Sequence, residues 1–413
     1  MNKFRKIECK PNWKNIVSNL ESFQSISFIR DDDNFLIAWD TKDELLLEDE
    51  FSFEKFEKFK TKNTEEYIFT ALSYDIKNYI ESSLISKNED YDNFPTAIFF
   101  TTKNIFISNN GTAIYAGKNS DKDILELNNN SSLIAKNDNV TLNEIVSKNN
   151  YISSIEKIKD HLQRGDIYEM NYCVPFRATN CKIDPINTFI KLNNKSEAPF
   201  SVLLNIKDHS IISASPERFF KISNDIIYSQ PIKGTAARGD NFDEDNKLKN
   251  NLKKDKKEIA ENVMIVDLVR NDLSKIAKRN SVMVEELHEL YSFRTVHQLI
   301  STISCLIKDE TTSSEVIKAL FPMGSMTGAP KVSAMQIADQ LEVFQRGIYS
   351  GSIGYFEPNG NTDFNVIIRS LVYNRKKKTI SAAVGGAITI LSDPEQEYEE
   401  CKLKLKALAE TLC

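Results

Sequence analysis

Residues 350–412, SGSIGYFEPNGNTDFNVIIRSLVYNRKKKTISAAVGGAITILSDPEQEYEECKLKLKALAETL, decide the class of fold. Three apolar runs within them, SGSIGYFE (350–357), NVIIRSLVY (365–373) and ISAAVGGAITI (380–390), read as strands. The next run opens with Asp393 and Pro394, a capping residue followed by a proline suited to a first helical turn, and predicts a helix to about residue 412. Strands in hairpin-like pairs followed by a helix make this half of the chain an α/β mixture.

Upstream the same alternation continues. SSIEKIKDHLQRGD (153–166) puts Ile155, Ile158 and Leu162 on one helical face, with Ser153 as the expected N-cap and Gly165 as the stop. IYEMNYCVPF (167–176), FSVLLNI (200–206) and HSIISASPERFF (209–220) read as strands, and a long helix is expected from about Asp245 to Ala277, broken near Arg270-Asn271-Asp272. The first 140 residues alternate apolar runs, SISFIR, NFLIAW and TAIFFTT among them, with polar connections. The Asn-rich stretch 121–139 is expected to be a linker or loop.

Composition narrows the function. The chain has 413 residues, 27% charged, with a net charge of -6, enough for two to three domain-sized units or one large layered fold. A mild acidic excess argues against a general nucleic-acid binder, which needs a basic field to release counterions. No apolar run is long enough to span a membrane, and the charged start MNKFRKIECK leads into no apolar segment, so neither membrane insertion nor a secretory leader is expected and the chain is placed in the cytoplasm. Six scattered cysteines without CxxC spacing fit reduced thiols, and four histidines without an HxxxH pattern point any metal site toward hard, oxygen-rich ligands. Eight of the 13 glycines fall between Gly324 and Gly386, which locates tight turns or close ligand approach in the second half.

Several residues there could carry chemistry, each with a plain alternative. Lys233, in PIKGT (231–235), ends an apolar strand, where desolvation would lower its pKa and free a nucleophilic amine; the alternative is a solvated lysine at a strand end. Glu217, in SPE (215–217), has apolar neighbours that would raise its pKa and suit it to donate a proton, unless it is an exposed turn residue. Two ExxE pairs, Glu258 with Glu261 and Glu397 with Glu400, each share a helix face. One glutamate from each could hold magnesium against a substrate carboxylate, although Glu400 and Lys404 are also spaced for an ordinary surface ion pair. The loop GSMTGAPK (324–331) enters a helix through Pro330 and suits either an anion or a purely structural turn. Gly385-Gly386, inside a strand, marks close ligand approach or a bulge.

In this order, GDIYEMNY, SPE, PIKGT, AENVMIVDLVRNDL, FPMGSMTGAPK, GSIGYF, IIRSL and EYEE resemble the chorismate-utilising enzymes, most closely the branch that aminates chorismate for para-aminobenzoate. The resemblance spans roughly residues 150–410 and is faint in the amino-terminal third. It implies an α/β (α+β) fold, a layered sandwich of two antiparallel sheets with outer helices, in which residues 1–140 form a divergent region of the same fold and 141–413 bind chorismate. It implies that Lys233 attacks the ring at C2, that Glu217 protonates the departing 4-hydroxyl, and that ammonia adds at C4 and expels the lysine, giving 4-amino-4-deoxychorismate for folate synthesis. Glu261 and Glu400 match magnesium ligands, with Glu258 and Glu397 in support. Tyr349 and Arg369 match positions that hold the pyruvyl carboxylate, and Thr235, Thr327, Gly385, Gly386 and Lys404 match positions around the ring. The length leaves no room for a fused glutaminase or lyase, so the resemblance implies a separate glutamine amidotransferase to supply ammonia and a separate aminodeoxychorismate lyase downstream.

Details of the match separate the branches. Anthranilate synthases, the nearest alternative, carry alanine where this chain has Lys233. Isochorismate and salicylate synthases activate water with a lysine where this chain has Glu169, while close amination relatives usually carry glutamine. Relatives usually have histidine where this chain has Gln298, with His297 one residue earlier, and a third glycine where it has Ala387. A non-catalytic ligand-binding subunit is the remaining alternative, motivated by Gln298. Leu20-Glu21-Ser22 is reminiscent of the tryptophan-binding region of relatives and marks a possible tryptophan site.

Overall fold

The computed structural model describes residues 4–20, 24–48, 50–84, 86, 88–129, 139–293 and 296–413. Among them every ladder between strands is antiparallel, and the ladders form two layers. One layer runs from Ser25–Ile29 through Phe200–Ile206, His209–Ser215, Ser370–Asn374 and Thr379–Ile388 to Glu169–Thr179. The other runs from Ile68–Leu72 through Ser352–Phe356, Thr362–Asn365, Arg218–Ser223 and Ile226–Gln230 to Val296–Leu306. Two 13-residue strands, Phe35–Leu47 and Ala97–Asn109, belong to both. At about 3.3 Å per residue each spans roughly 43 Å, and a register shift between Thr41 and Asp43 lets the pair turn from one layer into the other. The two expected sheets are therefore wings of one hydrogen-bonded network.

Strand alternation builds the core. In the first layer Leu203, Ile212 and Leu371 face the helices Lys148–Arg164, Pro185–Ser196 and Pro394–Thr411. Their neighbours Leu204, Ile211 and Val372 face the second layer, where they join Phe69, Ala71 and Ile353. Ile68, Leu72 and Phe356 point outward again, toward the helices Phe53–Lys62, Lys256–Ser274 and Ser313–Leu320. The order is helix, sheet, sheet, helix, as expected. Strands buried on both faces carry apolar side chains at successive positions, which is why FSVLLNI and TAIFFTT show little alternation. No helix among the described residues is long and apolar enough to cross a membrane.

Several local expectations change. The helix expected to start after Ser153 starts at Lys148, with Ser147 capping the Asn150 N–H, because Tyr151 extends the buried face of Ile155 and Ile158 by one more turn. Its stop is Gly165, at φ +80°, as expected. The break expected at Arg270-Asn271-Asp272 lies instead at Asp255, between helices Phe242–Lys254 and Lys256–Ser274. Asp255 accepts from the N–H groups of Lys257 and Glu258 and so starts a new helix, whereas Asp272 stays helical, tied to Lys275 and Lys331. Part of the expected 121–139 linker is the helix Asp121–Leu127, begun by a reciprocal Ser120–Asp123 capping box; residues 130–138 lie outside the described residues. The strand expected over 365–373 is interrupted at Val366–Arg369, where the chain leaves one layer and enters the other. Arg369 takes φ +52° in that crossing. A non-glycine residue in this region costs about 1–3 kcal/mol, so the surrounding contacts hold it there.

Candidate active site

The segments singled out in the sequence come together at the ends of the two layers. Strand Ile232–Ala237 carries Lys233, and strand Glu169–Thr179 begins with Glu169, whose carboxylate accepts a hydrogen bond from Lys233 Nζ at 2.5 Å. The pair is closed to solvent, with side-chain exposures of 10% for Lys233 and 2% for Glu169. Burial favours the neutral amine, but the carboxylates of Glu169, Glu261 and Glu217 outweigh it and hold Lys233 above the ordinary lysine value. This reverses the expected lowering, because that expectation took account of apolar neighbours and not of acids brought in from other segments. Among the described residues Glu169 Oε2 is buried without a hydrogen-bond partner.

Glu217 sits at the start of strand Arg218–Ser223 and is buried. Its backbone is pinned by Ser215 Oγ, which accepts from its N–H, and by the Val366 N–H, which donates to its carbonyl. The Ser325 hydroxyl, from the GSMTGAPK loop, donates to Glu217 Oε1 at 2.6 Å. Burial pushes the carboxyl up from 4.5 to about 7, against the pull of Ser325, Lys233 and an Ile232 backbone hydrogen bond. The expected direction is met, and Glu217 is not an exposed turn residue.

The two glutamate pairs face the same region from helices Lys256–Ser274 and Pro394–Thr411. Gly234 lets the first helix approach: it has φ +86°, and a Cβ there would stand 3.2 Å from Glu258 Oε2. Glu261 is buried with Oε1 lacking a hydrogen-bond partner among the described residues, and burial raises its pKa to about 7. Burial likewise raises Glu258. Glu397 is buried and accepts from Ser392 Oγ, while Glu400 is half-exposed and paired with Lys404 at 2.7 Å, which outweighs burial and lowers its pKa. Among the described residues no three His, Cys, Asp or Glu side chains converge closely enough to hold a metal unaided. Magnesium needs only one or two carboxylates beside water and an anionic ligand. The hard oxygen donors and the orphaned, buried Glu261 Oε1 fit that demand.

The remaining expected residues divide. Arg369 is mostly buried; its Nη1 donates to the Lys404 carbonyl at 3.3 Å, and among the described residues no carboxylate pairs with it, which leaves a guanidinium able to meet an anion. Lys404 Nζ also donates to the Gly385 carbonyl at 2.8 Å. Gly386 lies beside this group, with a Cβ position 3.2 Å from Glu397 Oε2 and 3.7 Å from Lys404 Nζ. Gly385 instead faces Cys173 of the adjoining strand. Tyr349 is buried with its hydroxyl hydrogen-bonded to Cys173, Thr327 donates its hydroxyl to the Gly324 carbonyl, and Thr235 is exposed.

The strand ladder separates His297 from Gln298. Gln298 pairs opposite Thr235 and so shares its face, with Oε1 buried and unpartnered among the described residues. His297 points the other way, where its ring nitrogens meet Asp245 Oδ1 at 3.0 Å and Ser292 Oγ at 2.9 Å. Sequence reasoning gave no site role to Ser325 or Lys257 and weighed Glu169 only as a branch marker. The spacing of Lys257 to Glu261, one helical turn apart, was the one available signal. A groove beside Leu20 is lined also by Asn19, Trp39, Asp40 and Asp123; Glu21 and Ser22 lie outside the described residues.

Arg346 locks the loop to the strand. Its guanidinium grips Glu342 bidentately at 2.9 and 2.6 Å and donates to the carbonyls of Met326 and Asn171. Both partners of the ion pair are buried, so Arg346→Met would strand a carboxylate and two carbonyls. The expected cost is about 3–5 kcal/mol, read as a lower urea midpoint at unchanged m.

Residues 16–410 match the chorismate binding enzyme family. The chain is 42% identical over 266 residues to the chloroplastic aminodeoxychorismate synthase of Arabidopsis thaliana, an overlap covering 64% of this chain and 29% of that protein. It is 39% identical over 267 residues to aminodeoxychorismate synthase component 1 of Escherichia coli (strain K12), covering 65% and 58%. The matched segment thus spans roughly a third to three-fifths of those relatives. Among solved structures, anthranilate synthase component I from Streptococcus pneumoniae TIGR4 shares the fold, with a TM-score of 0.79 at 23% identity over 91% of each chain.

Proposed function

The chain belongs to the chorismate-binding enzyme family, and from that premise we propose that it converts chorismate and ammonia into 4-amino-4-deoxychorismate. One observation carries the reading: a buried lysine, Lys233, lies within 2.5 Å of a proton acceptor, Glu169, and beside Glu217, whose carboxyl titrates at about 7. Arg369 and Lys404 offer cations for the two carboxylates of chorismate, and Thr235, Thr327, Tyr349 and the Gly385-Gly386 backbone border the ring. When bound, by Glu261 and Glu400 with Glu258 and Glu397 in support, magnesium supplies charge neutralisation for a substrate carboxylate.

The chain's own residues then divide the proton work. Before attack Lys233 must give up its proton against the pull of the Glu169, Glu261 and Glu217 carboxylates, and Glu169, already hydrogen-bonded to its Nζ, is placed to take it. The free amine attacks C2, the ring double bonds shift, and the C4–O bond breaks as Glu217 delivers its proton to the departing hydroxyl. Ammonia adds at C4 and the lysine leaves C2 with its bonding pair, regenerating the amine. Ammonia comes from a separate glutamine amidotransferase, and a separate lyase completes para-aminobenzoate for folate synthesis in the cytoplasm. A tryptophan site beside Leu20 belongs to the same reading and is open to calorimetry.

The test is direct. The purified chain, given chorismate, magnesium and an ammonium salt, should yield para-aminobenzoate only when the lyase is added. Anthranilate formed without lyase would overturn the assignment in favour of the anthranilate branch, and absence of turnover would favour a binding subunit.

A further inference from the structure

The helices that carry the two glutamate pairs meet across a lysine. Lys257 Nζ lies 3.8 Å from Glu261 Oε1 and 3.6 Å from Glu397 Oε1, one carboxylate on each helix. Neither contact is short enough for a hydrogen bond, so the ammonium is shared between the carboxylates and bound tightly to neither. Glu261 is only 6% exposed, yet among the described residues its Oε1 has no hydrogen-bond partner, which is costly for a buried carboxylate. Lys257 is 39% exposed at the side chain and stands in the first turn of its helix, so its four-carbon stem can swing to solvent without disturbing the fold.

We propose that Lys257 is a placeholder cation: in the metal-free protein its ammonium bridges Glu261 and Glu397 across the two helices, and magnesium binds by displacing it. This rests on the metal reading above. A divalent ion and an ammonium repel each other in one carboxylate cluster, so Lys257 weakens magnesium binding while it keeps the empty site together. Glu261 Oε1 faces the ammonium at ion-pair distance but accepts no hydrogen bond among the described residues, so a bound magnesium would satisfy it more fully.

Isothermal calorimetry of magnesium chloride into the full chain without substrate tests this. Lys257→Met should tighten the magnesium Kd by about tenfold, which corresponds to about 1.4 kcal/mol, and should lower the Tm of the metal-free protein more than that of the loaded one. Lys257→Arg, which keeps the charge, should not tighten binding. Lys257→Gln provides a second neutral variant should the methionine form fold poorly, and circular dichroism checks both. A Kd unchanged or weakened in folded neutral variants would overturn the placeholder role. Glu261→Gln separates the two readings: if the wild-type chain binds no magnesium, or binds it as well after Glu261→Gln, the metal assignment itself fails. If wild-type binding depends on Glu261 but not on Lys257, only the placeholder role fails.

Discussion

Lys233→Arg is expected to fold and to lose turnover of chorismate by at least about 10³-fold, the scale on which removal of an attacking nucleophile acts. Arginine is the informative replacement because the ion pair with Glu169 is buried. Lys233→Ala would strand that carboxylate and cost about 3–5 kcal/mol of stability, so a loss of activity could be mistaken for a loss of structure. The guanidinium keeps a positive charge beside Glu169 but does not deprotonate in a protein, so it can satisfy the acid without attacking C2. Circular dichroism and urea midpoints check the fold, and a coupled lyase assay checks the rate. Retained turnover in a well-folded Lys233→Arg chain would exclude Lys233 as nucleophile.

Glu217→Gln should slow the reaction by about 10²–10⁴-fold, the usual contribution of a positioned general acid. The amide oxygen can still accept the Ser325 hydroxyl, so the pocket is preserved while the transferable proton is lost. The pH profile distinguishes this from a structural effect. With its carboxyl at about 7, wild-type Glu217 loses its proton above neutrality, and kcat/KM at constant free ammonia should fall as pH rises through that value. Glu217→Gln should lack that limb. Stability gives an independent readout with a definite sign. The folded-state pKa is raised above 4.5, so the group's contribution is fully present below about 4.5 and is lost as pH rises through about 7. Relative to wild type, Glu217→Gln should therefore gain Tm across that window. A constant Tm difference from pH 4.5 to 8 would show that Glu217 is not titrating there.

The legible part of this protein was the part governed by local periodicity. Alternation in the strands and the apolar faces of the helices placed many of the elements, and Asp393-Pro394 and Gly165 marked helix ends, because each depends on residues within a turn or two; the layering of those elements was implied by the family resemblance. Errors arose where a local pattern met a tertiary demand. Val366–Arg369 reads as strand, but those residues must cross between layers. Ser153 looks like a cap, but Tyr151 still has a core to reach.

For the site, residue type made Lys233, Glu217 and both glutamate pairs candidates, each beside a plain alternative, and the family resemblance implied their roles. What they meet could not. Glu169 lies 64 residues from Lys233 in the chain, and Ser325 lies 108 from Glu217. An apolar strand end predicts a lowered lysine pKa, and the folded chain reverses it. The sequence by itself determined which groups are present and which face of an element they occupy, since those follow from covalent spacing. Only the tertiary structure decided which charges become neighbours and how dry they are, and a pKa depends on both, because Coulomb energies follow distance through space and the local dielectric.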